Sequence, residues 1–355
     1  MQEDTRIRLI GWHPDQMRAL PVLEDEPNFR LRQIAAWIYR RGATEFAVMT
    51  DLPAALRKEL SRRYSLDLLP VARDLRSCDG STRKLLFSLV DGLAIEAVQM
   101  HEPRRDTVCV STQVGCAYRC RFCATGRMGL KRNLTAHEIL SQVLVVRDGR
   151  RAAGSPGHFN LVFMGMGEPL ANYEAVTAAI RVLGDDYGLG IGRRRITVST
   201  VGLAPQIRRL AGEPFAPRLA LSLNATRDQT RSHLMPVNRR YPIREVLAAL
   251  AEYRARTGQR TTLEYVLLAG INDAPEDARR LSRFARDCDC TVNLIVFNDH
   301  RGNALRGSGP ASAEAFRGAM LPHAPTVTLR QSKGQDIQAA CGQLCIEARP
   351  TGSEE

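Results

Sequence analysis

Three cysteines in the run Cys116-Ala-Tyr-Arg-Cys120-Arg-Phe-Cys123 follow a C-x3-C-x2-C spacing just after a short β-branched stretch. Three thiolates in one loop can bind three irons of a [4Fe–4S] cube, which leaves the fourth iron open to a small molecule. The alternative is a zinc site, although zinc usually wants four ligands in paired spacing. The other six, Cys78, Cys109, Cys288, Cys290, Cys341 and Cys345, are dispersed, and most read by default as small buried hydrophobes. His137, His158 and His233 show no spacing that suggests metal ligation and read as structural.

The compartment follows from the first residues. Met1-Gln2-Glu3-Asp4-Thr5-Arg6 is acidic and no apolar segment follows it, so the expectation is a cytoplasmic protein without a secretory signal. There thiols stay reduced, and nine cysteines point to metal or catalysis before structural disulfides. No window is apolar enough to span a membrane. Fifty Lys and Arg against 38 Asp and Glu leave +12, with a pI near 9.6, which favours a polyanionic partner, nucleic acid first. Only Lys58, Lys84, Lys131 and Lys333 are lysines, so the charge is almost all guanidinium, which forks onto phosphates and stacks on bases. A genome rich in Arg codons accounts for that ratio equally well, but not for the net charge.

The elements that must position these groups are legible as periodicity. From Asn28 to about Tyr64 apolar residues fall at helical spacing, interrupted at Gly42, and a second helix after Pro53 carries Arg57, Lys58, Arg62 and Arg63. This predicts a small helical module with a positive face. Arg83–Val90 and Leu93–Val98 flank Asp91-Gly92, a hairpin signal. Beyond Thr107, strands expected at Val108–Ser111, Phe159–Met164, Ile196–Ser199, Leu219–Leu223, Thr262–Leu268 and Val292–Phe297 alternate with helices at Thr135–Arg147, Glu174–Leu183, Ile243–Thr257 and Glu276–Asp287. Six β/α units imply a parallel sheet, open or curled toward a barrel, with its site at the carboxyl ends of the strands. Thr326–Arg330 adds a last strand before a polar tail.

With an aromatic residue before its last cysteine and a strand before its loop, the cysteine run resembles the signature of radical S-adenosylmethionine (SAM) enzymes. Further segments match: Cys109-Val-Ser-Thr-Gln-Val-Gly-Cys116, Phe163-Met-Gly-Met-Gly-Glu168-Pro-Leu, Arg195-Ile-Thr-Val-Ser199-Thr-Val-Gly202-Leu, Leu234-Met-Pro-Val-Asn238 and Asp336-Ile-Gln-Ala-Ala-Cys341-Gly-Gln-Leu. Together they resemble the adenine-C2 RNA methyltransferases, the RlmN family, over nearly the whole chain. The resemblance implies an α/β fold, a partial (β/α)6 barrel over residues 102–335. An N-terminal helical, RNA-binding accessory domain (1–75), a β-hairpin linker (76–101) and a tail (336–355) carrying a methyl-carrier cysteine complete the expected organisation.

The resemblance also assigns roles. Cys116, Cys120 and Cys123 hold the [4Fe–4S] cluster. Gly167 and Glu168 meet the SAM amino group, Ser199 and the strand end Ser222-Leu223-Asn224 its ribose and carboxylate, and Asn298 its adenine side. Two SAM are used per turnover: Cys341 takes a methyl from one, and the deoxyadenosyl radical of the second activates it for addition to adenine C2. Cys109 accepts the C2 proton and releases the product through a transient Cys109–Cys341 disulfide, and Glu96 matches the acid/base carboxylate. Read without the family, Glu96 is a solvated strand-edge carboxylate. The implied substrates are 23S rRNA and transfer RNA, the implied electron donor is flavodoxin or ferredoxin, and the expected state is a monomer. Adenine-C8 methylation, a paralogue with another RNA target and a zinc-stapled RNA-binding protein remain as alternatives. Two departures stand out: Asn224 replaces the family's usual His, and Asp299 replaces a proline, which frees φ and adds charge beside the cofactor adenine.

Overall fold

The computed structural model describes residues 6–102, 105–155, 157–298, 303–330 and 333–344. Asp299 and Cys345 therefore lie outside the described residues. A ten-stranded sheet carries the molecule. Its strands are β1 (Val71–Arg76), β2 (Thr82–Ser88), β3 (Ala94–Glu102), β4 (Arg105–Cys109), β5 (Phe159–Phe163), β6 (Ile196–Thr200), β7 (Arg218–Ser222), β8 (Thr261–Leu267), β9 (Thr291–Val296) and β10 (Val327–Arg330). They lie side by side in chain order, with β4 through β10 parallel and β1 through β4 antiparallel.

The parallel strands are runs of β-branched and apolar residues because helices cover them; β4 is buried at four of its five positions and β7 at its three central ones. The intervening helices begin where the sequence caps them. In the helix Ala136–Ala152, Thr135 Oγ1 accepts from the Glu138 N–H while the Glu138 carboxylate accepts from the Thr135 N–H. Tyr173–Gly184, Ile243–Thr257 and Pro275–Asp287 occupy the other expected positions. Ala204–Leu210, Asp228–Leu234 and Pro310–Met320 are helices that the periodicity did not reveal. Two of these are only seven residues long, too short for a repeating apolar stripe, and all three are rich in polar or small side chains.

The accessory helices Asn28–Ala35 and Ala54–Arg63 pack their apolar positions inward. The first runs on through a π-helical stretch, Ala36–Arg41, and ends at Gly42, whose φ of 73° suits glycine. The module is tied to the barrel: His13 Nε2 lies 3.0 Å from Asp185 Oδ2, and Arg151 donates to the Arg40 carbonyl at 2.7 Å.

The expected hairpin forms around Asp91-Gly92, but it is no free linker. β3 pairs antiparallel with β4, so the hairpin extends the barrel's own sheet. A third strand, β1, lies in the stretch assigned to the helical module; its six residues are all exposed, with no apolar alternation to betray it. By register Lys84 opposes Val98 and Leu86 opposes Glu96, so Lys84, Glu96, Val98 and Met100 share one face of this extension.

Candidate active site

The cysteine loop leaves β4 and doubles back on itself. Gly115 has φ of 77°, and a Cβ there would strike the Gly129 carbonyl, which instead accepts from the Cys116 N–H at 3.1 Å. The Cys123 N–H donates to Cys120 O at 3.1 Å, closing the turn between them. Cys116 and Cys120 are buried and Cys123 is half-buried. Burial pushes the Cys116 thiol up to about 12 and the Cys120 thiol well above its usual range, and the neighbouring cysteines add to the effect at Cys120. Three thiolates gathered this way need a cationic group among them, which an iron–sulfur cluster supplies. Among the described residues no three His, Cys, Asp or Glu converge on one metal-ion position, whereas a cube spreads its ligands over three irons.

Arg231, fully buried, is a nearby protein cation, and its charge favours the Cys120 thiolate, as that of Arg127 favours Cys123. Its guanidinium donates to the carbonyls of Leu223, Val201 and Ser222 and to Asn238 Oδ1, at 3.0, 2.7, 3.3 and 2.9 Å. It knots the ends of β6 and β7 beside the cluster loop. No spacing pattern singled it out among the chain's many arginines.

A cavity of about 860 Å³ opens at the carboxyl ends of the strands, lined by Cys123, Gly167, Glu168, Ser199, Ser222, Asn224, Asn298 and Cys341 among others. A Cβ on Gly167, with φ of 102°, would come within 2.5 Å of Gln113 Cβ. The Glu168 carboxylate accepts from the N–H groups of Leu170 and Val201 at 3.1 and 2.8 Å, clamping its turn onto the end of β6. Burial pushes Glu168 up to about 7 despite these bonds. A bound ammonium would restore its charge. Ser199 and Ser222 hydroxyls face each other at 3.5 Å.

Three expected contacts are qualified by the geometry. Leu223 does not line the cavity: its side chain is in the core, and its backbone bonds to Arg231 and Glu264. Asn224 lines it in the left-handed region, φ 57°, which Asn tolerates well, but its amide is engaged by Val266 N–H and Met235 Sδ. Asn298 donates to the Cys341 carbonyl at 3.3 Å and accepts from Gln335 at 2.7 Å, so it ties the cavity to the tail.

A second cavity, about 950 Å³, lies between β3 and the tail. Val98, Met100, Glu102, Cys109, Arg330, Lys333 and Cys341 line it, and Cys123, Arg330 and Cys341 belong to both cavities. Cys341 is thus at their junction with Cys109 in the second. The expected Cys109–Cys341 disulfide is not formed here; both thiols are free. Burial pushes Cys109 up to about 12 and raises Cys341 too, while the Arg330 charge pulls both down. Glu264 accepts from Asn293 Nδ2 at 3.0 Å through Oε1, and its buried Oε2 has no hydrogen-bond partner among the described residues. Arg330 and Glu264 were invisible in the sequence, where nothing marks them among strand residues.

Glu96 lines neither cavity. It is buried on β3, with Oε1 3.1 Å from Lys84 Nζ, rather than solvated at a strand edge. The tail crosses this face as a strap. Lys333 donates to His101 O at 3.2 Å, Asp336 accepts from the Cys78 N–H at 2.8 Å, and Lys84 donates to Gln338 O at 3.3 Å. Beyond Cys341 the strap docks on the cluster loop, through Ala124 N–H to Gly342 O at 2.8 Å and Thr125 Oγ1 to Leu344 O at 2.6 Å. Among the expected structural groups, His233 meets Arg121 at 2.8 Å and Cys288 and Cys290 are buried.

Known proteins share this architecture. The Radical SAM superfamily model matches residues 110–282, and that of the ribosomal RNA large subunit methyltransferase N-terminal domain matches residues 7–66. A probable dual-specificity RNA methyltransferase RlmN of Moorella thermoacetica is 47% identical over 97% of this chain and 99% of its own length. The dual-specificity RNA methyltransferase RlmN of Anaeromyxobacter dehalogenans is 46% identical over 92% of this chain and 88% of its own. The crystal structure of a radical SAM methyltransferase from Sphaerobacter thermophilus superposes with a TM-score of 0.88 at 45% identity, covering 95% of this chain and 99% of that one.

Proposed function

This chain belongs to the RlmN family of radical SAM RNA methyltransferases, and on that premise we propose that it methylates C2 of one adenosine in 23S rRNA, at the peptidyl transferase centre, and of the anticodon-adjacent adenosine of tRNA. The observation that carries this reading is the position of Cys341 at the junction of two cavities, with Cys109 lining the second.

Cys116, Cys120 and Cys123 would hold a [4Fe–4S] cluster, and Gly167, Glu168, Ser199, the Ser222-Leu223-Asn224 strand end and Asn298 would surround SAM; bound there, these groups supply a methyl and a hydrogen-abstracting radical, with two SAM used per turnover. Adenine C2 has no nucleophilic lone pair, so the chain's own nucleophile must take the methyl first. Cys341 accepts it on sulfur from the first cavity and presents it as a methylene to C2 of a base in the second. The addition leaves one unpaired electron on the base, which would return to the cluster as the C2 proton leaves to Cys109, with Glu96 as the acid/base carboxylate of the site. The Cys109 thiolate then attacks the Cys341 sulfur: the sulfur–methylene bond breaks, the methylene carbon takes up a proton and an S–S bond forms. A two-electron reductant must reopen that disulfide. Arg330, lining both cavities, favours the thiolate forms that these steps require.

The target base must be unpaired or extruded for its C2 edge to meet Cys341, since that edge is covered in a stacked duplex, which selects a structured RNA with an accessible adenosine. The net charge and the arginine-bearing accessory helices fit phosphate contacts. The reading includes a flavodoxin- or ferredoxin-class electron donor, a monomer and a cytoplasmic location; among the described residues no helix is long and apolar enough to cross a membrane. The test is anaerobic incubation with deuteromethyl SAM, a reductant and a 23S rRNA fragment, followed by nucleoside mass spectrometry. Labelled 2-methyladenosine is expected. Labelled 8-methyladenosine would move the assignment to C8, and a colourless, iron-free protein that binds RNA without methylating it would restore the zinc-stapled reading.

A further inference from the structure

We propose that Lys84 is a positioning residue: its single ammonium holds the Glu96 carboxylate and the turn that carries Cys341 in one register. The inference rests on the reading above, in which Glu96 and Cys341 serve RNA methylation.

Lys84 is one of four lysines in the chain, and it is buried on the β2–β3 face over which the tail passes. Its Nζ lies 3.1 Å from Glu96 Oε1 and donates to the Gln338 carbonyl at 3.3 Å. A compact ammonium with three donors can serve two acceptors of different elements at once, which a planar guanidinium fork does less readily. The acceptor in the tail is an unusual one. Gln338 has φ of 52°, in the left-handed region, although its side chain is exposed and nothing in its chemistry asks for that conformation. Such a conformation is unfavourable for a residue with a Cβ and persists only where its surroundings over-determine it. Two bonds within the turn, Gln338 N–H to Gln335 O at 3.1 Å and Ala339 N–H to Gly334 O at 2.8 Å, shape it. Gly334 packs so closely on Thr82 that a Cβ would come within 2.7 Å of its methyl. Lys84 supplies the hold from across the sheet, three residues before Cys341. Without it, a buried carboxylate loses the ammonium 3.1 Å away and a strained turn loses its anchor.

The two functions separate in a double variant. In Lys84→Met, amide exchange across residues 334–341 of the unliganded protein should quicken about tenfold, and methylation of Cys341, read on the tail peptide without RNA, should slow on the order of 10- to 100-fold. Gln338→Gly removes the strain, because glycine enters the left-handed region freely, and should by itself methylate Cys341 near the wild-type rate. In the double variant Cys341 methylation should return to within a few-fold of wild type while RNA methylation stays low, since Glu96 still lacks the Lys84 ammonium. Lys84→Gln, measured in parallel, should show the same pattern with a smaller effect and guards against a Met variant that does not fold. Unchanged exchange in the Lys84 variants, or a double variant as slow as Lys84→Met, overturns the proposal. Absence of any methyl on Cys341 of the wild-type protein instead overturns the underlying reading, and the exchange measurement remains decisive for Lys84.

Discussion

The loop that carries Cys116, Cys120 and Cys123 and the tail that carries Cys341 meet at one cavity, yet they are held in opposite ways. The loop is shaped by its own residues: Gly115 under the Gly129 carbonyl, Cys116 bonded to Gly129, Cys123 to Cys120. The tail, beyond two bonds within its own turn, is held in place by residues far away in sequence: Glu102 and His101 for Lys333, Cys78 for Asp336, Lys84 for Gln338, Asn298 for Gln335 and Cys341. A loop closed mainly by its own bonds depends less on the rest of the molecule, although Arg121 N–H also donates to the Leu234 carbonyl at 2.9 Å. A strap keeps its geometry only while the sheet beneath it is intact, and the thiol that must face two cavities sits on the strap.

The sharpest way to break this contrast is at the loop. Cys116→Ala, Cys120→Ala or Cys123→Ala should each abolish iron binding and SAM cleavage completely, because two thiolates cannot hold a cube with one open iron. Circular dichroism should remain that of the wild type, since of the three thiols only Cys120 belongs to the hydrophobic core, which strand and helix residues otherwise build. Wild-type iron content in any of the three, measured with visible absorbance, would undo the cluster assignment.

At the tail the loss should be as complete for RNA methylation but selective for the step. Cys341→Ala should keep its iron and methylate no RNA. Cys109→Ala should methylate Cys341, attack RNA and fail to release it, so mass spectrometry of the purified variant should find RNA linked through a Cys341 methylene bridge. Finding no adduct in an iron-replete Cys109→Ala variant would leave Cys109 a packed residue and give proton removal to Glu96 or another group.

The same contrast explains what was legible beforehand. The cysteine run, the glycine turn at 165–167 and the six β/α units are patterns within short windows, and the strands Ile196–Thr200 and Thr291–Val296 fall within a residue of where periodicity put them. Strand Val71–Arg76 escaped because it is exposed on both faces and so has no period to read. Lys84, Arg231, Glu264 and Arg330 escaped because each gains its meaning from partners that the fold, and no short motif, brings to it. Leu223 shows the converse, a motif residue whose side chain packs in the core while its backbone does the bonding.

A smaller effect probes the wall between the two regions. Glu168 is fully buried and its pKa is raised to about 7. The folded protein therefore binds the proton more tightly than the unfolded chain does. Its stability is greatest below about pH 4.5, falls as pH rises toward 7, and levels off above that, with a loss on the order of 3 kcal/mol. Urea unfolding of the ligand-free protein between pH 5 and 8 should show this decline, and Glu168→Gln should flatten it. A stability that rises with pH over that range in the wild type but not in Glu168→Gln would mean that Glu168 is held ionised in the fold.

The smallest change expected to matter lies where loop and strap touch. Thr125 is buried and its hydroxyl donates to the Leu344 carbonyl, the last anchor of the strap beyond Cys341. Thr125→Val keeps the shape, removes the donor and leaves a buried carbonyl unpaired, a cost of about 1 kcal/mol. Because the loop is closed by its own bonds, iron content should stay at the wild-type level. Because the strap depends on its anchors, Cys341 methylation should slow by a few-fold, the kinetic equivalent of that energy. The hydroxyl also favours the ionised form of Cys123, which makes the iron measurement the deciding control. If iron is lost in proportion to Cys341 methylation, loop and strap act as one unit and the contrast fails. If iron is kept and only methylation slows, the strap alone sets where Cys341 points.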